Sequence, residues 1–155
     1  MNLESYKYKT VIGPALISSI SDLINLENAS FPADKMSRAQ YRRHINSNTA
    51  SVLVAIDARG LVGSAVIFHR IGSARARLYS IAVASTAQGE GIGGRLLAAA
   101  EQDAIARGCH SLYLEVRRDN KAAISLYHKQ GYLLVNYLSN YYSDGMGAWR
   151  YEKSL

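Results

Sequence analysis

The stretch Gln88-Gly89-Glu90-Gly91-Ile92-Gly93-Gly94 decides how the rest of this chain is organised. An apolar run at residues 78–83 precedes it, and residues 95–107 follow it with apolar side chains at helical spacing. The segment therefore predicts a buried strand, a glycine-rich loop and a helix. Glycines let backbone N–H groups approach a ligand, and a helix N-terminus adds unpaired donors and partial positive charge. We expect a phosphate or pyrophosphate to bind here, the alternative being a flexible loop before a surface helix.

Two nucleotide-binding motifs can be compared with this loop. A Walker loop is excluded, because no Gly-Lys-Ser/Thr follows the glycines. A dinucleotide fingerprint fits the letters, since Gly89, Gly91 and Gly94 match G-x-G-x-x-G and Glu115 follows about twenty residues later. In that fold, however, the first glycine comes almost directly after the strand, whereas residues 84–88 intervene here. Too little chain also remains after Glu115 for the rest of a doubly wound sheet.

A third pattern, Q/R-x-x-G-x-G/A, is filled by Gln88, Gly91 and Gly93. With it the loop resembles the acyl-CoA pyrophosphate loop of the GNAT superfamily of N-acetyltransferases. A second signature resembles the ribosomal-protein-alanine N-acetyltransferase branch of that superfamily, and it consists of Leu114-Glu115-Val116-Arg117, Asn120, Ala123, Leu126-Tyr127 and Gly131-Tyr132. A later motif of the same branch is matched by Tyr141-Tyr142 and Gly145.

The predicted elements follow the same family order. Strands are predicted at residues 8–12, 51–56, 61–68, 78–83, 110–117, 132–135 and 148–152. Helices are predicted from about residue 21 to Phe31-Pro32, from Ser37 with Gln40 at capping-box spacing, and at residues 95–107 and 121–130. The order β-α-α-β-β-β-α-β-α-β-β indicates an α/β (α+β) GNAT fold, a mixed, mostly antiparallel sheet with about four helices. The resemblance covers nearly the whole chain, residues 1–155, which we expect to form a single domain.

Composition limits the remaining possibilities. The net charge is +6, yet the basic residues are scattered, so we expect no nucleic-acid partner, and coenzyme A phosphates account for part of the excess. Cys109 is the only cysteine, so no intramolecular disulfide can form; a buried, inert thiol is expected there. No signal peptide or membrane span is evident, and we expect a cytoplasmic protein, a monomer or homodimer. A metal site is not expected, because the histidines are widely separated: His44, His69, His110 and His128.

The chemistry of acetyl transfer explains the residue types of the second signature. Transfer from a thioester to an amine needs a deprotonated amine, a polarised carbonyl and a protonated leaving thiolate. Glu115 is the expected general base, and Tyr127 is the expected donor to the departing sulfur. Attack is expected to be direct, without an acyl-enzyme. The competing structural interpretations are that Glu115 only forms an ion pair with Arg117 or Arg118 and that Tyr127 is only a packed aromatic.

The resemblance also implies a binding site for acetyl-CoA. It implies that Ile81, Ala82 and Val83 pair their backbone with the pantetheine, with the Val83 N–H facing the thioester oxygen. Asn120 would hydrogen-bond the amide-bearing arm, although it could serve only as a helix N-cap. The pyrophosphate would be held by the whole loop: Gln88, Gly89, Glu90, Gly91, Ile92, Gly93 and Gly94.

Two polar segments are expected to wall the acceptor groove. They are residues 31–37 and 140–147, with Phe31, Tyr141 and Tyr142 as candidate substrate-binding residues. The branch usually has a tryptophan-serine pair in the first segment and an acidic residue where Gly147 stands, so a ribosomal-protein substrate does not follow. We expect a protein or peptide amine, either an N-terminal α-amine or a lysine. The alternatives are a small-molecule amine as acceptor, or an acyl-CoA-binding regulatory domain without turnover.

Overall fold

The computed structural model describes residues 9–155, which form a seven-stranded sheet and four α-helices. The elements in chain order are β1 Val11–Pro14, α1 Ile20–Ser30, α2 Arg38–Asn46, β2 Ala50–Asp57, β3 Gly60–His69, β4 Arg75–Val83, α3 Ile92–Ala106, β5 Ser111–Arg117, α4 Lys121–Lys129, β6 Leu133–Leu138 and β7 Ala148–Ser154. This is the predicted order of helices and strands.

The strands are arranged in the order β1-β2-β3-β4-β5-β7-β6. Neighbouring strands are antiparallel except β4 and β5, which are parallel and are connected through α3. A parallel pair needs a crossover connection, and a helix is the usual one. The expected mixed, mostly antiparallel sheet with one crossover helix is therefore confirmed.

Helix α3 is fixed to the sheet by its apolar face. Leu96, Leu97, Ala100 and Ala104 are fully buried, as their helical spacing predicted, and belong to a core cluster with residues of β3, β4 and β5. Burying one leucine side chain stabilises the fold by about 1.5–3 kcal/mol. This packing holds the N-terminus of α3, and with it the glycine loop, at the end of β4.

Helices α1 and α2 take part in a second core cluster with β2 and β3. The predicted capping box at the start of α2 is confirmed: the Gln40 N–H donates to Ser37 Oγ at 3.2 Å and the Ser37 N–H donates to Gln40 Oε1 at 2.8 Å. The buried Glu27 carboxylate accepts from the Tyr41 hydroxyl at 2.6 Å and from the Met36 N–H at 2.8 Å. These bonds order the segment between the two helices, residues 31–37.

Strands β4 and β5 separate towards their C-terminal ends. Their register runs from Arg75↔Ser111 to Leu78↔Leu114 and stops there. The last residues of β4 still pair on their other side with β3, where Ile81 lies opposite Ala65 and Val83 opposite Gly63. Backbone groups at the edge of a strand need partners. The parting strands therefore open a gap that a ligand's amide groups can fill.

Several predicted boundaries are wrong, among them the start of β4, which begins at Arg75 and not at residue 78. The first strand was expected at residues 8–12, of which residue 8 lies outside the described part. In the structure β1 continues through Gly13 and Pro14. An edge strand tolerates a proline, and β1 is an edge strand because it pairs only with β2. Helix α3 begins at Ile92, not residue 95, because its glycines lie inside the helix. Strand β6 extends to Leu138, beyond the expected residue 135.

No helix in residues 9–155 is long and apolar enough to cross a membrane.

Candidate active site

The glycine loop has the backbone conformation that its sequence predicted. Gly89 and Gly91 have φ angles of +79° and +80°, which favour glycine strongly, and a methyl group at either would meet nothing within 4 Å. Gly91 is the N-cap of α3 and provides no side-chain cap. The first N–H groups of α3 consequently lack a capping side chain, and Gly91, Ile92 and Gly93 line a cleft. An uncapped helix N-terminus at a cleft is an arrangement that binds anions.

A cleft of about 740 Å³, here called the glycine-loop cleft, runs from this loop along the end of β4. The Gln88 side chain donates to the Val83 carbonyl at 3.3 Å and so ties the loop to the strand. Most of the residues predicted to bind the cofactor line this cleft, namely Ile81, Ala82, Val83, Gln88, Gly89, Gly91, Ile92, Gly93 and Asn120.

Two residues of the predicted cofactor loop lie outside the lining of this cleft. The Glu90 carboxylate is paired with the Arg59 guanidinium at 2.9 Å, and the hydrogen bond from Arg59 lowers the pKa of Glu90. Gly94 faces helix α4, where a methyl group would come within 3.4 Å of the Gln130 side chain. Gly93 is similarly close to Leu126, at 3.3 Å. The last two glycines therefore allow α3 and α4 to approach each other.

A second cleft of about 940 Å³, here called the Glu115 cleft, lies against the first. It is lined by residues of the α1–α2 segment, β4, β5, α4 and the β6–β7 loop. The two clefts share five lining residues, so they meet at the end of β4: Ser30, Phe31, Ile81, Asn120 and Ala123. All the predicted catalytic and acceptor residues line the Glu115 cleft, namely Phe31, Glu115, Tyr127, Tyr141 and Tyr142.

The Glu115 carboxylate is buried, with 4% of its side chain exposed, and two guanidinium groups hold it. Arg150, directly opposite on β7, donates to Oε1 through Nε at 3.1 Å and Nη2 at 2.9 Å. Arg77 on β4 donates to Oε2 at 3.1 Å. A buried carboxylate requires such partners, since an unpaired buried charge is costly.

The competing interpretation, an ion pair of Glu115 with Arg117 or Arg118, is wrong in its partners, which are Arg77 and Arg150. Arg117 instead pairs with Asp119 at 3.3 Å and with Asp144 of the β6–β7 loop at 2.8 Å. Successive residues of a strand point to opposite faces, so Glu115 and Arg117 share a face but extend to different neighbours. Sequence reasoning missed Arg77 and Arg150. The available signal was the alternation of arginines with apolar residues at residues 75–78, on the strand beside that of Glu115.

Tyr127 lies on α4 and is 3% exposed. Burial, and to a smaller extent the neighbouring Tyr142, raises the pKa of its hydroxyl, so the phenol keeps its proton. Its ring contacts Tyr132 edge-on at 5.8 Å, but within residues 9–155 its hydroxyl makes no hydrogen bond. The Asn120 side chain accepts from the Ala123 N–H at 3.2 Å, which confirms its N-cap role. Tyr127 thus presents a protonated, unengaged donor to the cleft.

The two segments expected to wall the acceptor groove contact each other. The Ser143 N–H donates to the Asp34 carboxylate at 3.2 Å, which links the β6–β7 loop to the α1–α2 segment. Tyr141 and Tyr142 pack edge-to-face at 5.0 Å, and the Tyr141 hydroxyl accepts from Arg77 at 2.8 Å. The rim of the cleft is therefore made of aromatic rings and polar backbone.

The side chain of Tyr137 explains why residue 147 is a glycine. A side chain at this position would overlap the Tyr137 hydroxyl and come within 3.0 Å of its ring. Tyr137 packs in turn on Trp149, with ring centroids 4.7 Å apart. Tyr137 thus occupies the space that an acidic side chain at residue 147 would need.

Serine, histidine, aspartate and cysteine side chains elsewhere in the described residues do not form a catalytic site. Ser51 and Asp103 both contact Nε2 of His69, at 3.2 and 3.0 Å, and the buried Nδ1 has no partner among the described residues. A catalytic triad uses opposite ring nitrogens. Cys109 is 5% exposed. In residues 9–155, no three side chains are grouped to hold a metal ion.

Comparison with known proteins relates this chain to acetyltransferases by sequence and by fold. The model of the acetyltransferase (GNAT) family matches residues 20–132. N-alpha-acetyltransferase 30 of Schizosaccharomyces pombe is 28% identical over 77% of this chain and 81% of its own length. The ribosomal protein bS18-alanine N-acetyltransferase of Salmonella typhimurium is 39% identical over 46% of this chain and 49% of its own length. The crystal structure of Ard1 from Thermoplasma volcanium covers 94% of this chain and 97% of its own, with a TM-score of 0.86 and 25% identity.

Proposed function

Because the chain belongs to the acetyltransferase (GNAT) family, we propose that it acetylates the N-terminal α-amine of a protein or peptide. The chain is an N-acetyltransferase and its acetyl donor is acetyl-CoA. The observation that carries the choice of acceptor is the Glu115 cleft, whose rim joins two chain segments with polar backbone and tyrosines. Two relatives support the same choice, one named as an N-alpha-acetyltransferase and the other as an alanine N-acetyltransferase of a ribosomal protein.

The glycine-loop cleft fits acetyl-CoA. Open space at Gly89 and Gly91, together with the uncapped start of α3, suits a pyrophosphate. The gap beside Ile81 and Val83 suits the amide groups of the pantetheine, and Asn120 stands where both clefts meet. Bound there, acetyl-CoA supplies an acetyl group activated as a thioester.

Glu115 acts as the general base in this proposal. It takes a proton from the acceptor ammonium, directly or through water, and so frees the nitrogen lone pair. Arg77 and Arg150 stabilise the carboxylate charge and fix its orientation. The nitrogen then forms a bond to the acetyl carbon as the bond from that carbon to sulfur breaks.

Tyr127 acts as the general acid. Its hydroxyl is protonated and has no competing hydrogen bond within the described residues, so it can donate to the departing sulfur. The new amide nitrogen and the protonated Glu115 each release a proton to solvent, and solvent returns a proton to Tyr127. Each proton therefore has a source and a destination, and no covalent enzyme intermediate is needed.

The rim of the Glu115 cleft favours an extended chain as acceptor. Tyrosines give rigid contacts that combine an apolar ring with a polar end, and exposed backbone can hydrogen-bond a peptide. Phe31 lines both clefts and would contact the first acceptor residue. A small amine would leave most of a 940 Å³ cleft unfilled.

The test is an acceptor panel assayed by thiol release from acetyl-CoA. The panel contains a heptapeptide with a free α-amine, spermidine, an aminoglycoside and a free amino acid. We expect kcat/KM for the peptide to exceed that of each small amine by about tenfold or more, equivalent to one or two additional hydrogen bonds. Y141A should raise KM for the peptide and leave KM for acetyl-CoA unchanged. Acetylation of a small amine alone would contradict a peptide acceptor.

A further inference from the structure

A single guanidinium connects the base to the rim of the acceptor cleft. Arg77 donates through Nε to Glu115 Oε2 at 3.1 Å and through Nη2 to the Tyr141 hydroxyl at 2.8 Å. Glu115 lies on β5, whereas Tyr141 lies in the β6–β7 loop. The fork of an arginine has donors in fixed relative positions, so it can hold two acceptors at a set separation.

The position of Arg77 follows from the point at which the strands part. Arg77 pairs with Tyr113 in the register, and the next pair, Leu78 with Leu114, is the last. Since Leu78 and Leu114 point into the helix-covered core, Arg77 points to the other face. There it stands at the narrow end of the gap between β4 and β5.

The two arginines on Glu115 are not equivalent. Arg150 donates both of its hydrogen bonds to Oε1 of Glu115 and does not line the Glu115 cleft. Arg77 holds Oε2 and does line that cleft. Arg150 is therefore a cross-strand partner of the base, whereas Arg77 stands between the base and the acceptor.

We propose that Arg77 is a positioning residue that couples the general base to the acceptor-binding loop. Through one guanidinium it fixes the orientation and charge of Glu115 and the place of Tyr141, so that an acceptor seated on the loop brings its amine to the base. This inference rests on the proposed function. It assigns Arg77 two separable effects, one through its charge on Glu115 and one through its bond to Tyr141.

The charge effect depends on all groups around Glu115. Arginine charge near a carboxylate favours the carboxylate, whereas burial and nearby tyrosinates oppose it. The ion-pair partners are Arg77 of β4 and Arg150 of β7, and both of their guanidinium groups also lie over the Tyr113 ring of β5. Tyr141 and Tyr142 of the β6–β7 loop are the further titratable neighbours. Burial, with Glu115 as a further cause, raises the pKa of Tyr141, and the pKa of Tyr142 is raised to about 12. Near neutral pH, arginines are thus the charged neighbours of the base.

The experiment compares R77Q and R77K with the wild type over a pH range, using the peptide that the wild type acetylates. In R77Q the carboxylate loses a positive neighbour, so the acidic limb of kcat/KM should move to higher pH. Loss of the link to Tyr141 should also raise the peptide KM roughly fivefold. R77K keeps the charge but not the fork, so it should restore the acidic limb and leave KM raised.

Arg75 provides the matched control. It lies two residues earlier on the same face of β4 but pairs with Glu152, at 2.5 Å, and does not line the cleft. R75Q should change neither the acidic limb nor the peptide KM. A melting temperature for each variant reports whether it folds, and R77K retains the charge that R77Q removes.

Several outcomes would overturn the coupling: an R77Q enzyme with only one of the two changes or neither, an R77K enzyme with the R77Q pH limb, or an R75Q enzyme that reproduces both effects. A wild type that acetylates no peptide counts against the proposed function instead. In that case the side-chain carboxyl carbon of Glu115, followed by NMR, gives the comparison without turnover. Its titration midpoint should be higher in R77Q, and an equal midpoint would overturn the inference.

Discussion

At the level of single residues, Glu115 as the proposed base must be buried enough to exclude bulk water and yet be able to accept a proton. The structure gives this carboxylate two arginine partners and leaves 4% of its side chain exposed. Tyr127 satisfies the opposite demand, because burial raises the pKa of its hydroxyl and keeps a proton available. The two groups line one cleft, which is where the proposed base and acid must both lie.

E115Q removes the base while keeping its shape and part of its hydrogen bonding. We expect kcat to fall by roughly 10²–10⁴-fold, the usual contribution of a general base, with little change in acetyl-CoA affinity. The deficit should shrink at high pH, where the amine deprotonates unaided. Steady-state rates across pH measure both effects.

Glu152 is the control for that substitution. It lies on β7, pairs with Arg75 at 2.5 Å and is outside the Glu115 cleft. E152Q should leave kcat unchanged. An undiminished rate in E115Q would return Glu115 to a structural role as the partner of two arginines.

The motif residues were predictable at this scale, and their partners were not. Glu115, Tyr127 and Asn120 occur at fixed spacing within one continuous segment, which a sequence displays directly. Arg77 and Arg150 reach Glu115 from two other strands, so their contact depends on a register that sequence alone does not determine.

At the level of elements, the site depends on where α3 begins. Sequence rules treat consecutive glycines as a break, and so placed the helix start at residue 95. The helix instead starts at Ile92, because Gly93 and Gly94 are needed where α4 comes close. The amphipathic face of α3 and the order of all eleven helices and strands in residues 9–155 were predictable, since they follow from periodicity.

The element-scale prediction concerns Gly91. At 100 times its dissociation constant, acetyl-CoA should stabilise the protein by about 2.7 kcal/mol, or about 5–10 °C in melting temperature. NADH should give no such shift. G91L should abolish the shift, because its side chain enters the space beside the start of α3.

Gly72 supplies a control with the same backbone strain. Its φ angle is +79°, it also has open space around it, and it lies in the turn before β4. G72L should lose intrinsic stability, as G91L does, but should keep the full shift with acetyl-CoA. A shift preserved in G91L, or produced by NADH in the wild type, would contradict the assignment of the loop.

At the level of the whole molecule, the sheet places the two clefts proposed for donor and acceptor on two sides of one strand end. The glycine-loop cleft and the Glu115 cleft share residues of α1, β4 and α4, so a bound donor and acceptor would meet there. The separation of β4 from β5, the single parallel pair in the sheet, makes this possible. The acceptor itself is the feature that family membership leaves open.

The most direct test uses one heptapeptide that carries both a free α-amine and an internal lysine. After incubation with acetyl-CoA and the wild type, tandem mass spectrometry locates the acetyl group, with the E115Q protein as the matched sample. The proposed function predicts acetyl on the N-terminal residue, formed roughly 10²–10⁴-fold more slowly by E115Q. Acetyl on the lysine alone, or an unmodified peptide under conditions in which a small amine is acetylated, would contradict it.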